Sequence, residues 1–117
     1  MTAHALLRLA AWACIAAIVL LSLVAPSLRP VTILPHGLEH AAIFAIAGCA
    51  AGLGYPDRPA VNFAAFVLFA GAIELAQIPV PGRHARVTDF VIDALAASVG
   101  LAMAFAMTRM RCWRGYG

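Results

Sequence analysis

The residues of this chain that have the means to do chemistry gather in one stretch. It reads Glu74-Leu-Ala-Gln77, then Pro81-Gly-Arg83-His84-Ala-Arg86, then Asp89 and Asp93. One apolar helix ends here, a short basic turn follows, and a second apolar helix begins. A second group lies upstream at His36, Glu39 and His40. Only 11% of the residues are charged, and an ionisable group at the centre of a membrane helix costs about 2.5–3.5 kcal/mol on insertion scales. Charges placed together under that penalty point to use.

Each residue has a functional reading and a structural one. Glu74 with Gln77 is a proton-exchanging or ligand-holding carboxylate, or half of a buried ion pair that fixes two helix ends. Arg83 and Arg86 suit the phosphate of a lipid headgroup or a lipid-linked precursor, because guanidinium meets phosphate oxygens in bidentate fashion. The structural reading bridges Arg83 to Glu74 or Asp89 and leaves Arg86 against headgroups. His36 and His40 are four residues apart and share a face if the helix starts early enough. With Glu74 or Asp89 they would resemble a two-histidine, one-carboxylate metal set. No H-E-x-x-H signature accompanies them, so a hydrogen-bonded or proton-carrying His40 is the favoured reading and no metal is expected. Asp89 suits the N-terminus of a helix by its charge alone. Asp93 lies a full turn deeper, where it must be protonated or paired.

The elements that position these groups follow from the composition. The chain has 117 residues, 64% of them hydrophobic, with a mean hydropathy of +0.94. Soluble domains are nearer half apolar and a quarter charged. This is the composition of one small integral membrane domain spanning residues 1–117. All eight basic residues are arginines and are spread over loops and tails, which argues for lipid headgroups and against nucleic acid. Cys14, Cys49 and Cys112 lie in separate segments without metal-like spacing, and no disulfide is expected.

Four apolar spans are expected at about 6–25, 37–54, 60–78 and 88–108, giving an all-α, integral membrane four-helix bundle with short loops. About 20 apolar residues cross the hydrocarbon. The first span exceeds a signal-peptide core and lacks a small-x-small cleavage site, so it reads as a retained helix. The second is short, and its charged first turn should sit at the interface. Prolines 26, 30 and 35 break the chain before it, and Pro79 and Pro81 end the third span. Thr88 is the expected N-cap of the fourth. Ala41, Ala45, Gly48 and Gly52 line one face of the second span, and Asp89, Asp93, Ala96, Gly100 and Ala104 one face of the fourth. Small-residue faces let helices approach closely. Asn62 reads as an interfacial cap.

An even number of spans puts both termini on one side. With the termini in the cytoplasm, five arginines lie inside (8, 58, 109, 111, 114) and three outside (29, 83, 86), the sense that the positive-inside rule favours. Three helix ends and one turn then bring His40, Glu74, Gln77, Arg83, Arg86, Asp89 and Asp93 to one depth near the outer leaflet.

The pattern from about His36 to Gly100 resembles the VanZ-like family of small bacterial membrane proteins. The resemblance is carried by His40 with Phe44 one turn on, Glu74-Leu-Ala-Gln77, Pro81-Gly-Arg83, Asp89, and a small-residue helix ending in Gly100. Where that family often has an Asp-Lys pair before the histidine, this chain has His36 and Gly37; where it often has Asn on the fourth helix, this chain has Asp93. The site is therefore expected to be more acidic. The resemblance implies a helical bundle in the bacterial plasma membrane, associated with the cell envelope. A link to teicoplanin-type glycopeptide resistance is part of that implication.

Two classes of function stay open. One is an accessory or binding protein for membrane lipids or a lipid-linked envelope precursor. The other is a small membrane hydrolase or transferase that acts on lipid-linked phosphates, using His40, Glu74 and Asp89 as acid and base. No nucleophile motif and no H-x-x-x-x-x-R run supports the second. An ion or proton path would need a homo-oligomer, since four short helices enclose little volume. No cofactor is called for.

Overall fold

The computed structural model describes residues 2–23, 36–79 and 87–115. Within them the chain is all-α: α1 (Ala3–Leu23), α2 (His36–Gly54), α3 (Pro59–Gln77) and α4 (Val87–Gly115). By length and composition α1, α3 and α4 can each cross a membrane, while Leu38–Gly54 of α2 is a shorter apolar helix. Four spans were expected; three meet the length requirement outright.

The helix boundaries differ from the expected ones for local reasons. α1 begins three residues earlier, because Thr2 caps it: the Ala5 N–H donates to Thr2 Oγ1 at 3.1 Å, the geometry of an N-cap hydroxyl. Thr88 lies inside the first turn of α4 and is not its cap. At its other end α4 continues past Thr108 to Gly115. Apolar residues thin out at Thr108, but arginine and methionine are good helix formers and no Gly or Pro intervenes before Gly115. The arginines there also sit at the negative end of the helix dipole.

α2 is the central helix. α2 packs most extensively on α4 and next on α1; α3 leans mainly on α4. The α2–α4 seam is nearly backbone to backbone. A Cβ on Gly48 would collide with the Ala97 carbonyl, and one on Gly100 with the Ala45 carbonyl. A Cβ on Gly52 would come within 2.6 Å of the Ala104 methyl. Small residues at each crossing allow this approach, and dispersion between the two backbones takes the place of a hydrophobic drive that lipid does not supply. The buried stripe of α4 is Asp93, Ala97, Gly100 and Ala104. Ala97 stands at the centre, where Ala96 was expected; Ala96 is only partly buried.

Phe44 fills the middle of the bundle, fully buried and tilted against Phe69 of α3 with ring centroids 5.8 Å apart. Phe66, Ala70 and Ile73 of α3 complete this core. The outside is apolar: Trp12, Leu20, Leu68, Leu75, Leu95 and Val99 are all exposed. In water such a surface would be an aggregation liability, whereas in lipid it is the solvated face.

Candidate functional site

Antiparallel neighbours bring the end of α1, the start of α2, the end of α3 and the start of α4 to one end of the bundle. Helical spacing decides which polar side chains turn inward there. His40 lies one turn before Phe44 and shares its buried face. Asp93 lies one turn before Ala97 on the stripe that faces α2. The His40 Nδ1 and Asp93 Oδ2 atoms face each other at 3.9 Å, and both residues are buried, at 7% and 2% exposure. On α3, Glu74 and Gln77 are three residues apart on the inner face and are likewise buried. The Gln77 Nε2 amide donates to the Ser22 carbonyl at 3.3 Å, which ties α3 to the last turn of α1.

The described parts of the expected site therefore divide as follows. His40, Glu74, Gln77 and Asp93 are buried at this end, with direct approach between His40 and Asp93. Asp89 lies one turn outward from Asp93 and is only partly buried. Arg83, Arg86 and His84 lie outside the described residues, as does any bridge from Arg83. His36 opens α2, so the helix does start early enough to give it the same register as His40. Among the described residues no three His, Cys, Asp or Glu side chains come together as a metal set. Cys14, Cys49 and Cys112 are free thiols. Asn62, expected as a cap, donates from Nδ2 to the Tyr55 carbonyl at 3.0 Å and pins the α2–α3 turn.

One site residue was not expected. Ser22 is fully buried, and its Oγ has no hydrogen-bond partner among the described residues. Asp93 Oδ2 also lacks one. A buried polar atom without a partner ordinarily costs about 1–3 kcal/mol, and each such atom in a folded protein calls for a reason. Ser22 carries little signal in the sequence. Membrane helices use serine freely, and only its position in the last turn of α1, level with the other polar ends, marks it.

The depth of this cluster follows from residue counts. At the opposite end Arg8, Gly54, Asn62 and Arg109 mark a common level. The Arg8 Nε donates to the Gly54 carbonyl at 2.8 Å, and its guanidinium lies over the Tyr55 ring, 4.5 Å from the centroid. The Trp12 Nε1 donates to the Tyr55 hydroxyl at 3.3 Å. Arginine and aromatic rings of this kind belong at a membrane interface. From that level to Ser22, His40, Gln77 and Asp93 the helices run only about 21–24 Å at 1.5 Å per residue. The hydrocarbon layer is about 30 Å thick. With the arginine level at one interface, the polar cluster is submerged by roughly one to two helical turns below the other.

Such an arrangement can offer imidazole, hydroxyl, amide and carboxylate groups to a polar group that enters from the membrane. No protein-family model, curated protein or solved structure matches the chain.

Proposed function

We propose that the chain is a VanZ-like protein of the bacterial plasma membrane, an envelope accessory or binding protein that holds an amphipathic or lipid-linked envelope molecule at a polar site toward the outer leaflet. The observation that carries this reading is the buried His40–Asp93 pair, whose Asp93 Oδ2 has no hydrogen-bond partner among the described residues, at the end of the bundle that also buries Ser22 Oγ without one. A purely structural pair would be expected to saturate its acceptors, because water cannot do so at that depth. An incoming hydroxyl or amine would satisfy Asp93 Oδ2. Arg83 and Arg86 would meet phosphate on the same molecule. A lipid-linked cell-wall precursor has hydroxyl, amine and phosphate groups, and a teicoplanin-type glycopeptide has the hydroxyls and amine without the phosphate. In this reading the chain crosses four times with both termini in the cytoplasm, and a homo-oligomer is compatible with the exposed apolar faces.

The test is native mass spectrometry of the full chain released from detergent, with a polyprenyl pyrophosphate and a teicoplanin-type lipoglycopeptide as the two probes. Wild type should retain at least one of them, and Asp93→Asn and Glu74→Gln should each weaken retention by about tenfold, the equivalent of one lost charged hydrogen bond. Retention of neither probe by wild type, or undiminished retention by both variants, would sink the proposal.

A second reading rests on the same 3.9 Å approach. An imidazole beside a carboxylate is also a general base with its orienting group, as a hydrolase or transferase for lipid-linked phosphates would need. Turnover of a lipid pyrophosphate by the purified chain, abolished in His40→Ala, would favour this reading; no turnover with or without divalent metal would remove it.

A further inference from the structure

The opposite end of the bundle holds a second feature, which does not depend on the polar cluster. Where α2 ends, α3 begins and α4 passes, a cavity of about 100 Å³ opens between the helices. Its walls include Gly52, Pro59, Leu101 and Phe105, and its polar lining comes from Tyr55, Asn62, Thr108 and Arg109. Two of these polar groups already bond backbone carbonyls. The Asn62 amide bonds the Tyr55 carbonyl, and the Thr108 hydroxyl bonds the Ala104 carbonyl at 2.9 Å. The other two, among the described residues, do not. The Tyr55 hydroxyl accepts from Trp12, which leaves its own proton to donate. The Arg109 guanidinium lies 5.1 Å over the Phe105 ring, held in place, with no carboxylate against it among the described residues.

The surroundings are mainly basic. Arg8, Arg58, Arg109, Arg111 and Arg114 are at this end, against Asp57 as the acid among the described residues. An apolar slot between helices, at interface depth, with a cation and a phenol at its rim, matches the anatomy of a single phospholipid. Basic pockets between membrane helices bind anionic headgroups by this combination. We propose that the cleft seats one anionic phospholipid of the leaflet on the side of the chain termini. Its phosphate takes hydrogen bonds from Arg109 and Tyr55, and the first carbons of one acyl chain lie against Leu101 and Phe105.

The full chain in detergent, titrated with phosphatidylglycerol or with phosphatidylcholine of identical chains and followed by native mass spectrometry, tests this. The first phosphatidylglycerol should bind about fivefold or more tightly than phosphatidylcholine, as one or more arginines near a headgroup would give. Arg109→Gln should erase most of that preference. Thr108→Leu, which fills the cleft and leaves every charge in place, should erase the first bound lipid as well. Arg111→Gln, outside the cleft, should keep both. Equal binding of the two lipids by wild type would overturn the proposal, as would wild-type behaviour of Arg109→Gln. Wild-type behaviour of Thr108→Leu would overturn it too, because attraction would then belong to the basic surface and not to the cleft. Loss in Arg111→Gln equal to that in Arg109→Gln would overturn it on the same ground.

Discussion

At the scale of single residues, the cluster of His40, Ser22 and Asp93 separates stability from function. Ser22→Ala deletes a buried hydroxyl that has no hydrogen-bond partner. It should leave thermal stability in detergent within about 0.5 kcal/mol of wild type, or raise it. Asp93→Asn keeps the volume and an acceptor oxygen toward His40, so it should cost no more than about 1 kcal/mol of stability while probe retention falls. A drop of several kcal/mol in either variant would show that the cluster holds the bundle together and is not poised for a ligand. The sequence made His40, Glu74, Gln77 and Asp93 legible, because an ionisable or amide group inside an apolar span is conspicuous. Ser22 was not legible, since a lone serine in a membrane helix is unremarkable and its significance arises only from its burial at this end of the bundle, with Gln77 bonded to its carbonyl.

At the scale of elements, the seam between α2 and α4 sets the tolerance of the fold. Gly48→Ala and Gly100→Ala each drive a methyl into a backbone carbonyl of the facing helix. The obstacle is main chain and cannot rotate away, so each should cost about 1–3 kcal/mol, the range for overpacking. Gly71→Ala is the control. Its Cβ would meet only the Phe90 ring at an ordinary 3.5 Å, so the change should be neutral or stabilising by up to about 1 kcal/mol through helix propensity. Thermal denaturation of the three variants in one detergent checks this order. If Gly71→Ala proved as harmful as the other two, close packing at the seam would not be the reason. That these helices present small-residue faces could be read from glycine and alanine spacing. That Ala97 and not Ala96 occupies the crossing could not, because in a run such as Ala94-Leu-Ala-Ala97 the register is fixed only by which backbone lies opposite.

At the scale of the whole molecule, charge is segregated along the long axis. Among the described residues, Glu39, Glu74, Asp89 and Asp93 lie toward one end of the bundle, and five arginines with Asp57 lie toward the other. With the arginine end in the cytoplasm, Cys112 becomes a reporter. It is exposed, whereas Cys14 and Cys49 are half-buried within the bundle. A membrane-impermeant maleimide should label Cys112 only after the cells are permeabilised, and Cys112→Ser should abolish the labelling. Labelling of intact cells would reverse the orientation. The all-α architecture was plain from hydropathy and proline placement. The length of α4 was not, because hydrophobicity reports where lipid ends, not where the helix does. At 29 residues α4 is about 43 Å long, comparable to a whole bilayer with its headgroups.

The short interval between the arginine level and the polar cluster bears on how any molecule arrives. A binding group sunk below the headgroups is met by two-dimensional diffusion, so the relevant dose is the mole fraction of ligand among the lipids and not its concentration in the buffer. Diluting the whole proteoliposome suspension in buffer at a fixed ligand-to-lipid ratio should then leave the occupancy by a strongly partitioned ligand unchanged.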